Sequence, residues 1–416
     1  MPGVEPMQRN RGEIMAALDG MRILDMTQYE AGTSCTQALA WLGAEVVKIE
    51  PPGHGDPGRN VGLGKDGGYS AYFCNWNANK QSVALDLRSE AGRNVLLELL
   101  PRFDVFVENY GPGVVEKLQL DYASLKAVHP TLIYAQLKGF GTEGPRAQFK
   151  SFDMVAQAAA GAFSVTGEPD GRPMLPGPTT GDSGTGVQLA MAILAAYIQR
   201  ERTGEGQSIE ISMQEAMTYF MRTRIATGST WGTAAAGRNG TSAGLPPIEL
   251  YPCKPFGPND WIYIMPITAG QWDEFCAAID RPDLAVDERF ANPRDRVAHA
   301  DELYAIVADW MKVRTKFEAM EHLAAAGVPC SAVEDTAELH TDPHLLARGF
   351  VHNLDLPLHG EVPLLGFAPR MSGSNVPLTA PPLLGEHTEG VLRSDLDVSD
   401  ERLAELRDAG AFGTDP

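Results

Sequence analysis

Short apolar runs alternate with amphipathic segments through the first half of the chain, a rhythm typical of strands that alternate with helices. Segments with helical periodicity lie at residues 35–42, 89–102 and 187–198, and Ser89 is in the N-cap position of the second. This order predicts an α/β fold, with a large, open, Rossmann-like parallel sheet covered by helices on both faces. The apolar runs predict strands at 21–26, 44–49, 82–87, 104–109, 132–137 and 208–212.

The pattern loosens after residue 216. Gly, Ala, Ser and Thr dominate residues 229–247, which predicts a mobile loop, and the Gly and Pro content of residues 51–68 predicts an exposed loop. The later pattern predicts a strand at 261–266, helices at 270–278 and 301–310, and a third helix whose end lies at 322–328. Together these elements predict a smaller α+β domain. The expected organisation is a large domain at 1–224, a small domain at 225–335 and a final segment at 336–416.

The chain is strongly acidic, which makes nucleic acid and anionic membrane surfaces poor partners. Its 416 residues include 54 acidic and 34 basic side chains, a formal net charge of −20. The five cysteines are widely spaced and form no CxxC pair, so neither a disulfide framework nor a metal site is indicated. The polar N-terminus lacks a signal sequence and no apolar run reaches about 18 residues, so we expect a cytoplasmic protein without a membrane span.

One acidic residue, Asp182, lies where a small-residue loop becomes the apolar helix at 187–198. Glycines at 181, 184 and 186 flank it and would let backbone or a ligand come close. Two interpretations remain open: Asp182 caps the helix by accepting backbone N–H groups, or it is a nucleophilic carboxylate. A nucleophilic Asp would need no change in its pKa, because Asp is ordinarily ionised at pH 7.

The segment around Asp182 resembles the active-site region of the class III CoA-transferases, the CaiB/BaiF family that includes formyl-CoA:oxalate CoA-transferase. That family carries G-D-S-x-[TS]-G, an apolar helix, R-x-x-T-G-x-G-Q and a strand that ends near M-Q-[DE]-A. This chain has each part, at residues 181–186, 187–198, 200–207 and 213–216. The resemblance covers most of the chain, with further matches at 24–27, 34–37, 42–50, 107–113 and 382–388.

The resemblance implies an enzyme that moves CoA from an acyl-CoA thioester to a carboxylic acid through a covalent intermediate on Asp182. CoA and acyl-CoA are then substrates, and no tightly bound cofactor is implied. The resemblance also implies that the segment at 336–416 returns to the large domain, and that two chains pass through each other as an interlocked homodimer.

The resemblance places the CoA site in the first half of the chain. Asn109 matches the Asn of the family's E-N-[FY]-x-P-G turn, Lys150 matches a CoA-binding Lys, and Leu85 matches a Leu beside the adenine. Lys117 stands where the family has an Arg, so it keeps the charge and loses the bidentate fork. Tyr29 completes the set of expected CoA-binding residues.

Glu30 stands where the formyl-CoA:oxalate enzymes have a Gln that contacts the reacting acyl groups. It is either a solvated loop residue or a second catalytic carboxylate near Asp182. In the second case an ionised Glu30 would repel a dicarboxylate such as oxalate, whereas a protonated one could donate a hydrogen bond to an oxyanion. Other departures from the oxalate enzymes are Val61 in place of a Trp, Pro51 in place of an Arg, and residues 237–244 in place of a tetraglycine lid.

Two other functions remain open on the same fold. The α-methylacyl-CoA racemase branch needs a His base, which Phe152 replaces here, although its Asp partner matches Asp182. That branch also has a Glu without a match in residues 267–272. The third alternative is a non-catalytic acyl-CoA-binding protein, and the retained Asp182 with its glycines counts against it.

Overall fold

The computed structural model describes residues 15–62, 68–228, 232–233, 238, 240, 242 and 244–413. The loop predicted at 229–247 and the lid segment at 237–244 therefore lie largely outside the described residues. By its internal contacts the chain divides into two compact units: Met1–Gly161 with Gly177–Thr223 and Gly349–Pro416, and Ala162–Pro176 with Arg224–Arg348. The second unit thus includes a segment before residue 177 and extends to residue 348, whereas the expected small domain spans 225–335.

A six-stranded parallel sheet with helices on both faces forms the centre of the first unit, as the apolar pattern predicts. Its strand order is β3-β2-β1-β4-β5-β6 in the numbering below. The order reverses between β1 and β4, and open α/β sheets bind ligands beyond the carboxyl ends of the strands at such a point. The strands are β1 (Arg22–Met26), β2 (Glu45–Glu50), β3 (Lys80–Ala84), β4 (Val105–Glu108), β5 (Ile133–Lys138), β6 (Ser208–Ser212), β7 (Glu249–Pro252), β8 (Trp261–Ile264), β9 (Cys330–Ala332), β10 (Val351–Leu356) and β11 (Gly360–Leu365).

Helices occupy most of the connections, because parallel neighbours cannot be joined by a tight hairpin. The helices expected at 35–42, 89–102 and 187–198 are present as α1, α3 and α7, and two of them extend beyond the apolar stretch that predicts them. The helices are α1 (Ala31–Ala40), α2 (Ala71–Asn77), α3 (Glu90–Leu99), α4 (Val114–Lys117), α5 (Tyr122–Val128), α6 (Asp153–Ala159), α7 (Ser183–Thr203), α8 (Met213–Phe220), α9 (Arg222–Gly228), α10 (Ala269–Ala278), α11 (Pro293–Ala298), α12 (Ala300–Met311), α13 (Lys316–Ala325), α14 (Glu338–Thr341), α15 (Pro343–Ala347), α16 (Thr388–Leu396) and α17 (Asp400–Asp408).

Alternate residues of each strand face opposite sides of the parallel sheet, which produces two separate apolar cores. Ile23 and Val46 lie in the core shared with α1 and α7. Leu24 and Val47, their immediate neighbours in sequence, lie in the core shared with α3, α16 and α17. Because both faces of the sheet are covered, its strands are apolar along most of their length.

The second unit has its own apolar core, built on the antiparallel sheet β7-β8-β9. Trp272 and Phe275 of α10 and Leu303 of α12 are buried in this core. The strand and helices predicted at 261–266, 270–278 and 301–310 correspond to β8, α10 and α12, so the smaller α+β part is confirmed. Across the described residues, every helix is too short or too polar to cross a membrane.

The segment after β2, as far as the structure describes it, is only in part the exposed loop that its Gly and Pro content predicts. Asp56 and Arg59 are each only 1% exposed. Lys48 Nζ lies 2.9 Å from Asp56 Oδ2, and Arg59 Nη2 lies 2.7 Å from Glu50 Oε2. Charged side chains are buried only when they are paired, and β2 supplies a partner for both residues.

Candidate active site

Two adjoining cavities lie at the carboxyl edge of the parallel sheet, where the strand order reverses. The first cavity has a volume of about 680 Å³ and is lined mainly by residues that follow β2, β3 and β4. The second has a volume of about 490 Å³ and is lined mainly by residues that follow β1, β4 and β5. Gln28, Tyr110, Val114 and Lys117 line both cavities, so the two form one groove.

The structure brings the expected CoA-binding residues to this groove. Leu85 and Lys117 line the first cavity. Asp182 lines the second, together with Tyr29, Asn109, Lys117 and Lys150. Lys117 and Lys150 are exposed, so their ammonium groups are available to an anionic ligand.

Two further basic residues line the first cavity, and sequence reasoning missed them. His54 and Arg88 are both exposed, and they follow β2 and β3 respectively. A single basic residue in a loop is ordinarily a solvated charge, so neither stands out in the sequence. Their position just after a parallel strand was the signal that could have identified them.

Asp182 occupies the N-cap position of α7 but does not cap the helix. Its backbone is in the αR region (φ −88°, ψ −74°), whereas an ordinary N-cap residue has an extended backbone. Within the part of the chain that the structure describes, its side chain accepts no capping hydrogen bond. The capping interpretation is therefore wrong. Asp182 is only 9% exposed, and its side chain lies in the wall of the second cavity.

Close packing of α1 against α7 brings Glu30 to the turn that precedes α7. At Gly186 an added Cβ atom would overlap Ser34 Oγ and a main-chain carbonyl of α1, so only glycine permits this approach. Glu30, the N-cap residue of α1, is 3% exposed, and its Oε1 accepts a hydrogen bond from Thr179 Oγ1 at 2.5 Å. The interpretation of Glu30 as a solvated loop residue is therefore wrong.

Burial and neighbouring carboxylates raise the pKa values of both acidic residues. Burial, with the charges of Glu30 and Asp153, raises the pKa of Asp182 to about 8. Burial and the charge of Asp153 raise the pKa of Glu30 to about 7, although hydrogen bonds from Thr179 and Ser183 oppose that shift. Asp182 therefore ionises less readily than the ordinary Asp on which the sequence-based expectation relies.

The loop at residues 27–29, between β1 and α1, is held at three successive residues by side chains from other parts of the sheet edge. We call these three side chains, Lys48, Asp56 and Asn109, the loop clamp. Tyr29 has a φ of 58°, which a residue with a side chain adopts only when its surroundings enforce it. The contacts are Lys48 Nζ to the Thr27 carbonyl (2.6 Å), Asn109 Nδ2 to the Gln28 carbonyl (2.8 Å), the Gln28 N–H to Asn109 Oδ1 (2.8 Å) and the Tyr29 N–H to Asp56 Oδ1 (2.9 Å).

These contacts show what the side chain of Asn109 does in the structure. Its amide oxygen and nitrogen are both bonded to the main chain of Gln28. Asn109 therefore positions the loop at the wall of the second cavity, and its direct contact with CoA stays a prediction.

An aromatic pair forms part of the second cavity. Phe152 lies edge-to-face against Tyr29, with ring centroids 5.8 Å apart and an interplanar angle of 88°. The position where a racemase would need a His base thus presents an apolar ring that cannot accept a proton.

A groove lined by exposed basic residues and by a buried carboxyl group, at the switch point of a parallel sheet, has the form of a binding site for an anionic ligand. Comparison with known families gives the finer assignment: the chain belongs to the CoA-transferase family III, whose family model matches residues 18–388. The protein is therefore a CoA-transferase enzyme, and neither the racemase nor the non-catalytic alternative is needed.

Relatives with this assignment match nearly the whole chain. A formyl-CoA:oxalate CoA-transferase from Streptomyces coelicolor is 39% identical over 409 residues, covering 95% of this chain and 99% of the relative. One from Rhodopseudomonas palustris is 37% identical over 415 residues, covering 95% and 97%. The crystal structure of a CaiB/BaiF family protein from Brucella suis has a TM-score of 0.82 and 32% identity, covering 92% of this chain and 100% of that one.

Proposed function

We propose that the protein moves CoA from an acyl-CoA thioester to a carboxylic acid with Asp182 as the covalent nucleophile. The observation that carries this proposal is the position of the Asp182 side chain, which is largely buried, free of capping bonds and at the wall of the second cavity. A carboxylate kept from water and from its own helix is available to attack a bound carbonyl group.

The proposed chemistry balances without water. The Asp182 carboxylate attacks the donor thioester carbonyl, CoA leaves as its thiolate, and a mixed anhydride forms. The thiolate then attacks the Asp182 carbonyl, which releases the donor acid and forms an aspartyl-CoA thioester. The acceptor carboxylate displaces CoA thiolate from this thioester, and the thiolate attacks the acceptor carbonyl of the new anhydride. The products are the acceptor acyl-CoA and the free Asp182 carboxylate.

CoA is proposed to lie along the groove from the first cavity to the second. Arg88 adds positive charge for the CoA phosphates in the first cavity, and His54 adds a hydrogen-bond donor, where the position of the family's Arg is taken by Pro51. The pantetheine arm would then pass into the second cavity and bring its thioester to Asp182. The residues expected along this path are Leu85, Lys117, Asn109, Tyr29 and Lys150.

Trapping with hydroxylamine tests the covalent intermediate. Hydroxylamine attacks an anhydride or thioester of Asp182 and leaves an aspartyl hydroxamate, whereas it does not react with a free carboxylate. After incubation with acyl-CoA and hydroxylamine, mass spectrometry should find the hydroxamate on the peptide that contains Asp182. A hydroxamate on another acidic residue, or none during turnover, would contradict the proposal.

Lys150→Ala should raise the KM for the CoA donor more than the KM for the acceptor acid. Loss of one charge-assisted contact to CoA weakens binding by roughly 1.5–3 kcal/mol, about a 10- to 100-fold rise in the donor KM. Steady-state kinetics with each substrate varied in turn measures both constants. Lys126→Ala, which removes an exposed Lys outside the two cavities, is the matched control. An unchanged donor KM in Lys150→Ala would count against this CoA site.

The protein is also proposed to form a homodimer and to function in the cytoplasm. Val187, Met191 and Ile198 of α7 are each half exposed or more, and an exposed apolar helix side is typical of a subunit interface. The interlocked arrangement implied by the family resemblance would cover such a surface. All five cysteines are free, which suits a reducing compartment.

A further inference from the structure

Asp153, the first residue of α6, holds the main chain of Asp182. Its Oδ1 atom lies 3.1 Å from the Asp182 backbone nitrogen, whose N–H also points to the Thr179 carbonyl at 3.1 Å. Gln157, one helical turn further along α6, donates from Nε2 to Asp153 Oδ2 at 2.8 Å and to the Pro178 carbonyl at 3.0 Å. These contacts tie α6 to both the beginning and the end of the turn that precedes α7.

This arrangement is buried and closely packed. Asp153 is 7% exposed and Gln157 is fully buried, and Gln157 Nε2 and the Asp153 carboxylate are bonded to protein groups. At Gly181 an added Cβ atom would lie 2.7 Å from the carbonyl oxygen of Asp153 and 2.7 Å from its Oδ1. The glycine before Asp182 is thus required for the Asp153 carboxylate to reach the Asp182 N–H.

The backbone of Asp182 shows what this contact achieves. An N-cap Asp with extended dihedrals turns its carboxylate back over the first turn of its own helix. Asp182 has αR dihedrals instead, and its N–H is held by Asp153. We propose that Asp153 is a positioning residue, which by binding the Asp182 N–H keeps the Asp182 carboxylate off its own helix and in the second cavity. This inference rests on the proposed nucleophilic role of Asp182.

Asp153 acts on Asp182 through its charge as well. Glu30, Asp153 and Tyr72 are the titratable groups coupled to Asp182, and Lys150 lines the same cavity. Because the negative charge of Asp153 raises the pKa of Asp182, removing that charge lowers this pKa. The acid limb of the kcat/KM profile, where Asp182 must lose its proton, should then move to lower pH. A residue that supports α6 without acting on Asp182 would leave the limb where it is.

The experiment compares Asp153→Ala and Asp153→Asn in the full chain. Ala removes the side-chain acceptor of the Asp182 N–H and leaves only the Thr179 carbonyl, so kcat should fall about 10- to 100-fold because the nucleophile is misplaced. The KM for acyl-CoA should change by less than about threefold, since this contact does not touch the donor. Asn keeps an acceptor oxygen and loses the charge, so it should recover most of kcat and show the shifted acid limb.

Asp121→Ala is the matched control. The Asp121 carboxylate also accepts a backbone N–H, from Ser124, but lies outside the two cavities. This variant should keep the wild-type kcat and pH profile. Thermal unfolding of each variant shows whether it is folded, and if Asp153→Ala is not, the acid limb of Asp153→Asn decides the question.

Three results would overturn the inference: a wild-type kcat in folded Asp153→Ala, an acid limb that does not move in Asp153→Asn, or a raised donor KM with kcat unchanged. The last result would assign Asp153 to donor binding. Failure of the proposed function has a separate signature, because Asp182→Asn would then remain active whatever the Asp153 variants do.

Discussion

Asp182→Asn should abolish CoA exchange in a protein that still folds. An amide cannot form the mixed anhydride, so the covalent route is lost and kcat should fall by about four orders of magnitude or more. The rate to measure is the formation of new acyl-CoA, with the most active pair from a screen of CoA thioesters against carboxylic acids. Activity within about tenfold of the wild type would refute the nucleophile.

Stability provides the control for this variant. The pKa of Asp182 is raised on folding from about 4 to about 8, so its ionised form opposes folding. The resulting loss of folding stability is absent below about pH 4, grows as the pH rises toward about 8 and is constant above about pH 8. The Asn side chain does not ionise, so the Tm of Asp182→Asn minus the Tm of the wild type should increase from about pH 4 to about pH 8. Asp121→Asn, at a cap outside the cavities, should keep full activity.

Glu30→Gln should improve the use of oxalate selectively. Glu30 is buried next to the turn that carries Asp182, and its charge raises the pKa of Asp182. Oxalate brings two further negative charges, whereas a monocarboxylate, or a longer acid whose far carboxylate points away, meets less repulsion. Gln keeps the size of the side chain and an acceptor for Thr179 while it removes the charge. The rate with oxalate relative to a larger acid should rise about tenfold, the effect of relieving roughly 1.4 kcal/mol of repulsion.

Both acids are assayed with the same CoA donor in the wild type, in Glu30→Gln and in Glu90→Gln. Glu90 is an exposed residue of α3 outside the cavities, so its variant should leave the ratio of the two rates unchanged. A wild type that already prefers oxalate would show that the charge of Glu30 does not select the acid. An unchanged ratio in Glu30→Gln would lead to the same conclusion.

The parallel sheet is predictable from sequence because its signal is local. Each strand is a short apolar run covered on both faces, and Gly or Pro punctuates the connections. The helix at 187–198 is predicted shorter than α7 because α7 begins and ends with small and polar residues, which carry no apolar signal. Polar residues such as Arg200 continue the helix beyond that stretch with no apolar pattern to reveal it.

The geometry around Asp182 is not predictable in the same way, because its partners come from distant segments. Asp153 and Glu30 are far from Asp182 in sequence, and their combined effect on its pKa depends on burial. The burial of Asp56 likewise depends on its pairing with Lys48. One local signal existed: Lys48 interrupts an apolar strand, and a Lys in a buried strand requires a partner.

Amide hydrogens in a loop beside an open cavity ordinarily exchange with solvent through small local openings. The loop clamp restricts such openings for two amides of the loop, because the Gln28 N–H is bound by Asn109 and the Tyr29 N–H is bound by Asp56. Asn109 directly follows β4 and Asp56 is ion-paired to Lys48 of β2, the two strands that flank β1. Releasing either amide breaks a contact to a group anchored on a strand that flanks β1, so we expect both amides to exchange slowly, together with the centre of the sheet.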